Sequence, residues 1–331
     1  MGVGVPLLLV VGGLLSVQAA ANVQLARAVR SPVGAAAVQL AVASLLLLVA
    51  TVVVGATGAF GLLPDVSVWH LLGGFGSAVY ITAGILLFPR LGAVVTVGLF
   101  IAGQTLASLL LDWFGLLGVP AVPPRGVDLL GVLAVLAGAA LIVRSHGAVP
   151  VVVMAGNRGA GVRRQPGGPG AAPPDGTGGT TARLGWWAVA IVAGAVLPVQ
   201  GAINGQLRAD LDAPLPVAAV SFVLATAVLA VPLAVAVRTG RVQRPRWSGL
   251  RDVPWWGWLG GAVGAGYVTA VFLLIPEIGA APTIALTVAG QQLAGAAVDH
   301  FGLLRLPRRP VRRARLLGVA VLLAGVGLLQ L

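Results

Sequence analysis

Residues 197–216 read LPVQGAINGQLRADLDAPLP and place Gln200, Asn204 and Gln206 in an otherwise apolar run that ends in a polar turn. A looser version, LSVQAAANVQLARAVRSP, occupies residues 15–32, and its amides Gln18, Asn22 and Gln24 each precede their counterparts by 182 positions. The chain therefore carries one polar-in-apolar segment twice, and we expect each copy to be the first helix of a repeated unit.

The composition indicates a polytopic helical membrane protein. Of 331 residues, 58% are hydrophobic and 9% charged, whereas a soluble domain carries about 25% charged residues. Apolar runs of about 20 residues are long enough to cross a bilayer as helices. They lack the alternation of polar and apolar residues that a membrane β-barrel needs. We expect the first run to be a retained helix and not a signal peptide, because it lacks a basic leading segment and matches an internal one.

The fold predicted from these runs is an all-α membrane protein with ten transmembrane helices in two inverted five-helix repeats. The first repeat is assigned to residues 1–146 and the second to 185–331. Residues 147–184 between them are rich in Gly and Pro, which is typical of a flexible linker. The predicted spans are 5–26, 33–56, 69–88, 92–111 and 127–143, then 185–207, 215–237, 256–275, 279–298 and 314–331.

The repeat continues beyond the first helix, at an offset of 187 from the third span onward. The matched residues include Trp69 and Trp256, Tyr80 and Tyr267, Gln104 and Gln291, and Asp112 and Asp299. Since five spans is an odd number, two copies joined on one side of the membrane must point in opposite directions.

The arginines give an independent prediction of orientation. Nineteen of the 21 fall in loops that such a topology places on one face, and only Arg125 and Arg208 lie opposite. Because cytoplasmic loops carry excess positive charge, we predict a cytoplasmic linker and both termini outside. Topology thus explains the net charge of +12, and we expect no nucleic-acid partner. We predict a bacterial plasma (inner) membrane protein that is a monomer or a homodimer.

The candidate substrate path consists of amides and tyrosines at equivalent positions of the two repeats. Gln18 and Asn22 share one helix face, as do Gln200 and Asn204. Such amides either cross-link helices or line a polar path near the midplane, and the residues leave both readings open. Two further equivalent pairs are the second candidates for lining the path: Tyr80 with Tyr267, and Gln104 with Gln291. For Asp112 and Asp299, at helix ends, we expect capping or pairing with arginine.

Several function classes lack their sequence signatures. The chain has no cysteine and no phosphate-binding GxxxxGK[ST] loop, so neither thiol chemistry nor ATP hydrolysis by this chain is expected. It has neither HExxH nor a supported GxSxG elbow. We therefore predict that it is not an enzyme and needs no cofactor or metal.

Three segments resemble the YdcZ family of bacterial membrane proteins, within the drug/metabolite transporter superfamily: LPVQGAINGQLR at 197–208, GGAVGAGYVTAVFLLIPEIGAA at 260–281 and AGQQLAGAAVDHFGLL at 289–304. The first half repeats each more loosely. The resemblance implies two five-span units fused in one chain, and efflux or exchange of a small molecule. The superfamily's small multidrug members bind cations through a carboxylate in the first helix, which this sequence lacks.

We therefore predict a secondary transporter, an exporter of a small-molecule substrate by alternating access across the lipid bilayer. One alternative is a flippase for a lipid or lipid-linked intermediate, which predicts a groove open sideways to lipid. The other is a non-transporting membrane scaffold, in which replacing Gln18 or Gln200 would change stability alone.

Overall fold

The computed structural model describes residues 4–123, 125–145, 177–278 and 280–329. These residues form ten α-helices, joined by turns and short 3-10 helices, and contain no β-strand. The helices of the first half are α1 (Gly4–Val29), α2 (Pro32–Val53), α3 (Gly74–Leu91), α4 (Ala93–Phe114) and α5 (Gly126–Arg144). Those of the second half are α6 (Thr177–Leu211), α7 (Pro214–Arg238), α8 (Leu259–Ile278), α9 (Ala280–Phe301) and α10 (Arg313–Leu328).

The prediction of an all-helical membrane protein is confirmed. Within the described residues, seven helical segments, those containing α1 to α7, are long and apolar enough to cross a membrane. Ten transmembrane helices remain a prediction. Most of the predicted linker lies outside the described residues, and its last residues, from Thr177 onward, belong to α6.

Local sequence explains where the helices begin. Pro32 and Pro214 occupy the first turns of α2 and α7, where proline's missing N–H costs nothing. Ser31 caps α2 by accepting a hydrogen bond from the Gly34 amide at 3.0 Å. The third span begins as a 3-10 helix, Val68–Gly73, and becomes α-helical only at Gly74. Its counterpart before α8 is the 3-10 helix Trp255–Trp258.

Equivalent helices of the two halves make equivalent contacts with the opposite half. Gly12 of α1 lies so close to Thr287 of α9 that a Cβ would overlap the Thr287 backbone. The equivalent pair, Gly194 of α6 and Phe100 of α4, has the same close approach. The first helix of each half therefore packs against the fourth helix of the other half.

The last helices of the two halves are antiparallel. Near one end of α5, Gly131 approaches Leu329; seven residues later, Gly138 approaches Leu322 and Gly318 of α10. Rising residue numbers in α5 thus meet falling numbers in α10. An inverted repeat requires equivalent helices to run in opposite directions, and α5 and α10, the fifth helices of the two halves, do so.

Hydrogen bonds bring the arginine-bearing loops together at one end of the bundle. Arg27 at the end of α1 donates to the Arg305 carbonyl at 2.9 Å, and Arg309 donates to the Pro89 carbonyl at 2.8 Å. The Arg246 amide, in the loop after α7, donates to the Val29 carbonyl at 2.8 Å. The loops after α1, α3, α7 and α9 therefore meet at this arginine-rich end.

Candidate functional site

A small cavity lies where the two halves meet. Its volume is about 20 Å³, and its polar lining comes from four side chains on three helices: Gln18, Asn22, Tyr80 and Gln291. A polar cavity of roughly 10–15 Å³ or more can hold one water molecule. The cavity is therefore about the size of one water, with first-half and second-half side chains on its walls.

The two α1 amides are held by the start of α8. Gln18 Nε2 donates to the Gly260 carbonyl at 2.9 Å, and a Cβ on Gly260 would overlap Asn22 Oδ1. Both amide side chains are buried, with Asn22 only 2% exposed. Asn22 Oδ1 has no hydrogen-bond partner among the described residues. An unsatisfied buried acceptor costs about 1–3 kcal/mol, so this oxygen favours a water or a ligand donor in the cavity.

Tyr80 and Gln291 join the halves on the opposite wall. Gln291 Nε2 donates to the Tyr80 hydroxyl oxygen at 3.2 Å, and the Tyr80 ring packs on Phe100 with centroids 4.6 Å apart. Ser16 of α1 donates to the backbone carbonyl of Gln291 at 2.7 Å. The resulting contacts fix α1, α3 and α9 relative to one another.

The remaining predicted residues do not line this cavity. Gln200 Nε2 donates to Ser77 Oγ at 2.9 Å, and Ser221 Oγ donates to Asn204 Oδ1 at 2.6 Å. Tyr267 hydrogen-bonds with Thr287. Gln104 is half-buried in α4. The structure thus brings four of the eight candidates together, and serines bond two of the amides that lie elsewhere, Gln200 and Asn204.

Sequence reasoning missed the apolar members of the site. Phe100 and Gly84 line the cavity, although neither carries a polar group that would single it out. Gly84 leaves open space, since a Cβ there would have no atom within 4 Å. The sequence feature that could have identified Gly84 is its position four residues after Tyr80, on the same helix face.

Gln39 of α2 is a further buried amide, with one end bonded to the 3-10 helix Trp255–Trp258 and the other to the start of α8. It donates to the Gly257 carbonyl at 2.7 Å and accepts from the Gly261 amide at 2.6 Å. Because the amide nitrogen and the amide oxygen of Gln39 are both bonded, this side chain fixes α2 against the start of α8.

Asp299 caps a helix of the other half. Its carboxylate accepts hydrogen bonds from the Ala93 and Val94 amides at 2.8 and 3.0 Å, at the N-terminus of α4, where the helix dipole favours negative charge. Arg315 lies 3.9 Å from the same carboxylate. The arginine pairing expected for Asp299 is present. The turn that the sequence predicts it to cap is the one following its own helix, whereas the carboxylate caps α4 of the first half. Among the described residues, no group of three acidic, His or Cys side chains could hold a metal ion.

Comparison with known proteins identifies a family. The family model described as "Putative inner membrane exporter, YdcZ" matches residues 3–141 and again residues 185–328. No curated protein matches the chain. The two matched regions coincide with the two halves and leave out the segment between them, as expected for two fused units.

Proposed function

This chain belongs to the YdcZ family of inner membrane exporters, and we propose that it is a secondary transporter working by alternating access between two inverted five-helix halves. The observation that carries the proposal is the polar cavity at the junction of the halves. Gln18, Asn22 and Tyr80 reach it from the first half and Gln291 from the second. Sites at the interface of inverted repeats are common in secondary transporters.

The antiparallel packing of α5 and α10 supports the inverted arrangement, as does the exchange of contacts between first and fourth helices. The arginine-rich end is proposed to be cytoplasmic, because positive loops favour that side. The linker would then be cytoplasmic and both termini outside. In this arrangement all ten helices cross the membrane.

The closed cavity corresponds to an occluded conformation. Sites for small molecules typically have volumes of about 300–1,000 Å³, whereas this cavity has about 20 Å³. A substrate therefore requires the halves to separate on one side at a time. Such a movement would expose Asn22 Oδ1, which has no partner among the described residues when the cavity is closed.

Reconstitution tests the proposal. Purified protein in liposomes is loaded with a metabolite panel, and efflux is followed under proton, sodium and substrate gradients. Asn22→Ala should lower flux without lowering thermal stability, because the amide oxygen it removes makes no hydrogen bond within the described protein. Asn204→Ala serves as the matched control, since its oxygen is already bonded to Ser221. Absence of flux under every gradient would contradict the proposal, and a loss of stability alone would favour a scaffold.

A further inference from the structure

A second and much larger cavity is an apolar groove between α1, α2 and α8. It has a volume of about 470 Å³ and is open along one side. Its lining is given by Leu7, Leu46, Leu47, Ala50, Ala262, Ala265, Gly266, Thr269 and Ala270. The single hydroxyl of that lining, on Thr269, donates to the Ala265 carbonyl of its own helix at 2.9 Å, so the groove offers its occupant hydrocarbon contacts.

The groove faces the region where lipid tails lie. α1 and α2 are both long and apolar enough to span the membrane. Leu7 and Leu46 on the rim are 43% and 41% exposed. At this depth the molecules that could meet such a surface are hydrocarbon chains, because polar groups pay a high cost there.

The groove is not a necessary result of the repeat. The positions of α3 equivalent to Ala262 and Gly266 of α8 are held by Phe75 and Val79. The small pair in α8 therefore leaves open a space that larger side chains occupy at the equivalent place in the other half. A Cβ on Gly266 would have no atom within 4 Å, so helix packing does not explain its small size.

One face of α1 borders both this groove and the polar cavity. Leu7 lines the groove, and Leu15, Gln18 and Asn22 line the cavity. Positions 7, 11, 15, 18 and 22 are spaced by three or four residues and so share one helix face. From Leu7 to Gln18 the helix rises about 16 Å. Val11 lies between the two sites on this face and is buried, so a molecule with a hydrocarbon tail and a polar head would contact both sites at once when the packing over Val11 opens.

We propose that the transported substrate is an amphiphile that enters sideways from the lipid, with its tail in the α1–α2–α8 groove and its polar head at Gln18 and Asn22. This inference rests on the proposed transport function. It differs from a path for fully polar solutes, which needs an aqueous entrance and no lateral groove.

Photolabelling tests the tail site without requiring transport. The probe is a single-chain alkyl glycoside with a diazirine near the chain end, added to phosphatidylcholine vesicles containing the full chain. Adducts mapped by mass spectrometry should concentrate on the groove residues of α1, α2 and α8. Gly266→Val should lower this labelling to the level of the other lipid-facing helices, because the added side chain occupies the open space beside Gly266 that the chain would otherwise fill.

Two controls keep the result interpretable. Ala262→Phe fills the groove from a different position and should give the same loss if Gly266→Val acts by occupancy. Val79→Gly opens the equivalent place on α3 and should create new labelling there. Even labelling of all lipid-facing helices would overturn the inference. The inference would also be overturned if a diazirine phosphatidylcholine labelled the groove and excess alkyl glycoside did not displace it. The occupant would then be ordinary bilayer lipid.

A flux arm separates this inference from the proposed function. Groove labelling without any flux of the alkyl glycoside would contradict transport while leaving an amphiphile site. Flux of a chainless polar solute that Gly266→Val leaves unchanged would support transport and overturn the amphiphile assignment. The result expected is loss of both labelling and alkyl glycoside flux in the filled variants.

Discussion

Replacing Gly84 with alanine puts a methyl group directly into the polar cavity. Gly84 lines that cavity, and its new Cβ would meet no atom within 4 Å, so the change needs no rearrangement. The cavity volume of about 20 Å³ is close to the space that one water needs. We therefore expect Gly84→Ala to displace whatever occupies the cavity without disturbing the fold around it.

The free-energy effect can be worked out against a matched control. Alanine is favoured over glycine in a helix by up to about 1 kcal/mol, and this term applies equally to Gly201→Ala on α6, where a Cβ also meets open space. Gly84→Ala additionally fills the cavity that Asn22 lines. If a water in that cavity donates to Asn22 Oδ1, its displacement leaves the acceptor unsatisfied, at a cost of about 1–3 kcal/mol. Gly84→Ala should therefore be less stable than Gly201→Ala by at least about 1 kcal/mol.

The assay pairs unfolding in mixed micelles with flux in liposomes. Flux should fall in Gly84→Ala and stay unchanged in Gly201→Ala. In an Asn22→Ala background the stability difference between the two glycine variants should disappear, because the acceptor is gone. If Gly84→Ala equals Gly201→Ala in both stability and flux, the cavity is a packing gap and the reasoning is refuted.

Three further predictions concern Gly260, Asp299 and the two loop positions Val122 and Val242. Gly260→Ala should lower the unfolding midpoint strongly because its Cβ overlaps Asn22 Oδ1 and lies 2.9 Å from the Gln39 side chain. Asn22→Ala in the same chain should restore part of the loss; no restoration would mean that the contact with Asn22 is not the main cause. Asp299→Asn should cost about 1–3 kcal/mol in unfolding measurements, since an amide group can accept from only one of the Ala93 and Val94 amides that the carboxylate binds; a change under about 1 kcal/mol would contradict that. Single cysteines at Val122 and Val242, both about half-exposed, should react differently with an impermeant maleimide: Val122→Cys in intact cells, Val242→Cys only after permeabilisation, with the reverse pattern contradicting the proposed topology.

The repeat was readable from sequence because equivalent residues keep one offset. Gly12 and Gly194 differ by 182 positions, and the residues they touch, Thr287 and Phe100, differ by 187. The offsets alone do not say which helix of one half contacts which helix of the other. That pairing depends on the surface complementarity of whole helices, here glycine steps lying against backbone, and a single sequence with 48 glycines does not single out those steps.

The sequence predicted which types of residue form the candidate site, but not which of them lie together. Amides in apolar helices must face inward, and Gln18 and Asn22 do line the cavity. Their counterparts Gln200 and Asn204 are bonded instead to Ser77 and Ser221. The difference arises from the partner helices, because those serines supply side-chain hydroxyls that hold the second pair. Equivalent positions in a repeat therefore need not have equivalent roles.

The contacts of α1 also indicate how easily the cavity can open. Within the described residues, four side-chain hydrogen bonds join α1 to the second half: Ser16 to Gln291, Gln18 to Gly260, Gln24 to Leu304 and Arg27 to Arg305. At about 0.6 kcal/mol each within a membrane protein, their combined loss is about 2 kcal/mol. A minor conformation a few kcal/mol above the main one is still populated at 0.1–10%. The polar bonds thus set the register of α1 without locking it, and a substrate head that replaces the bond to Gly260 would lower the cost further.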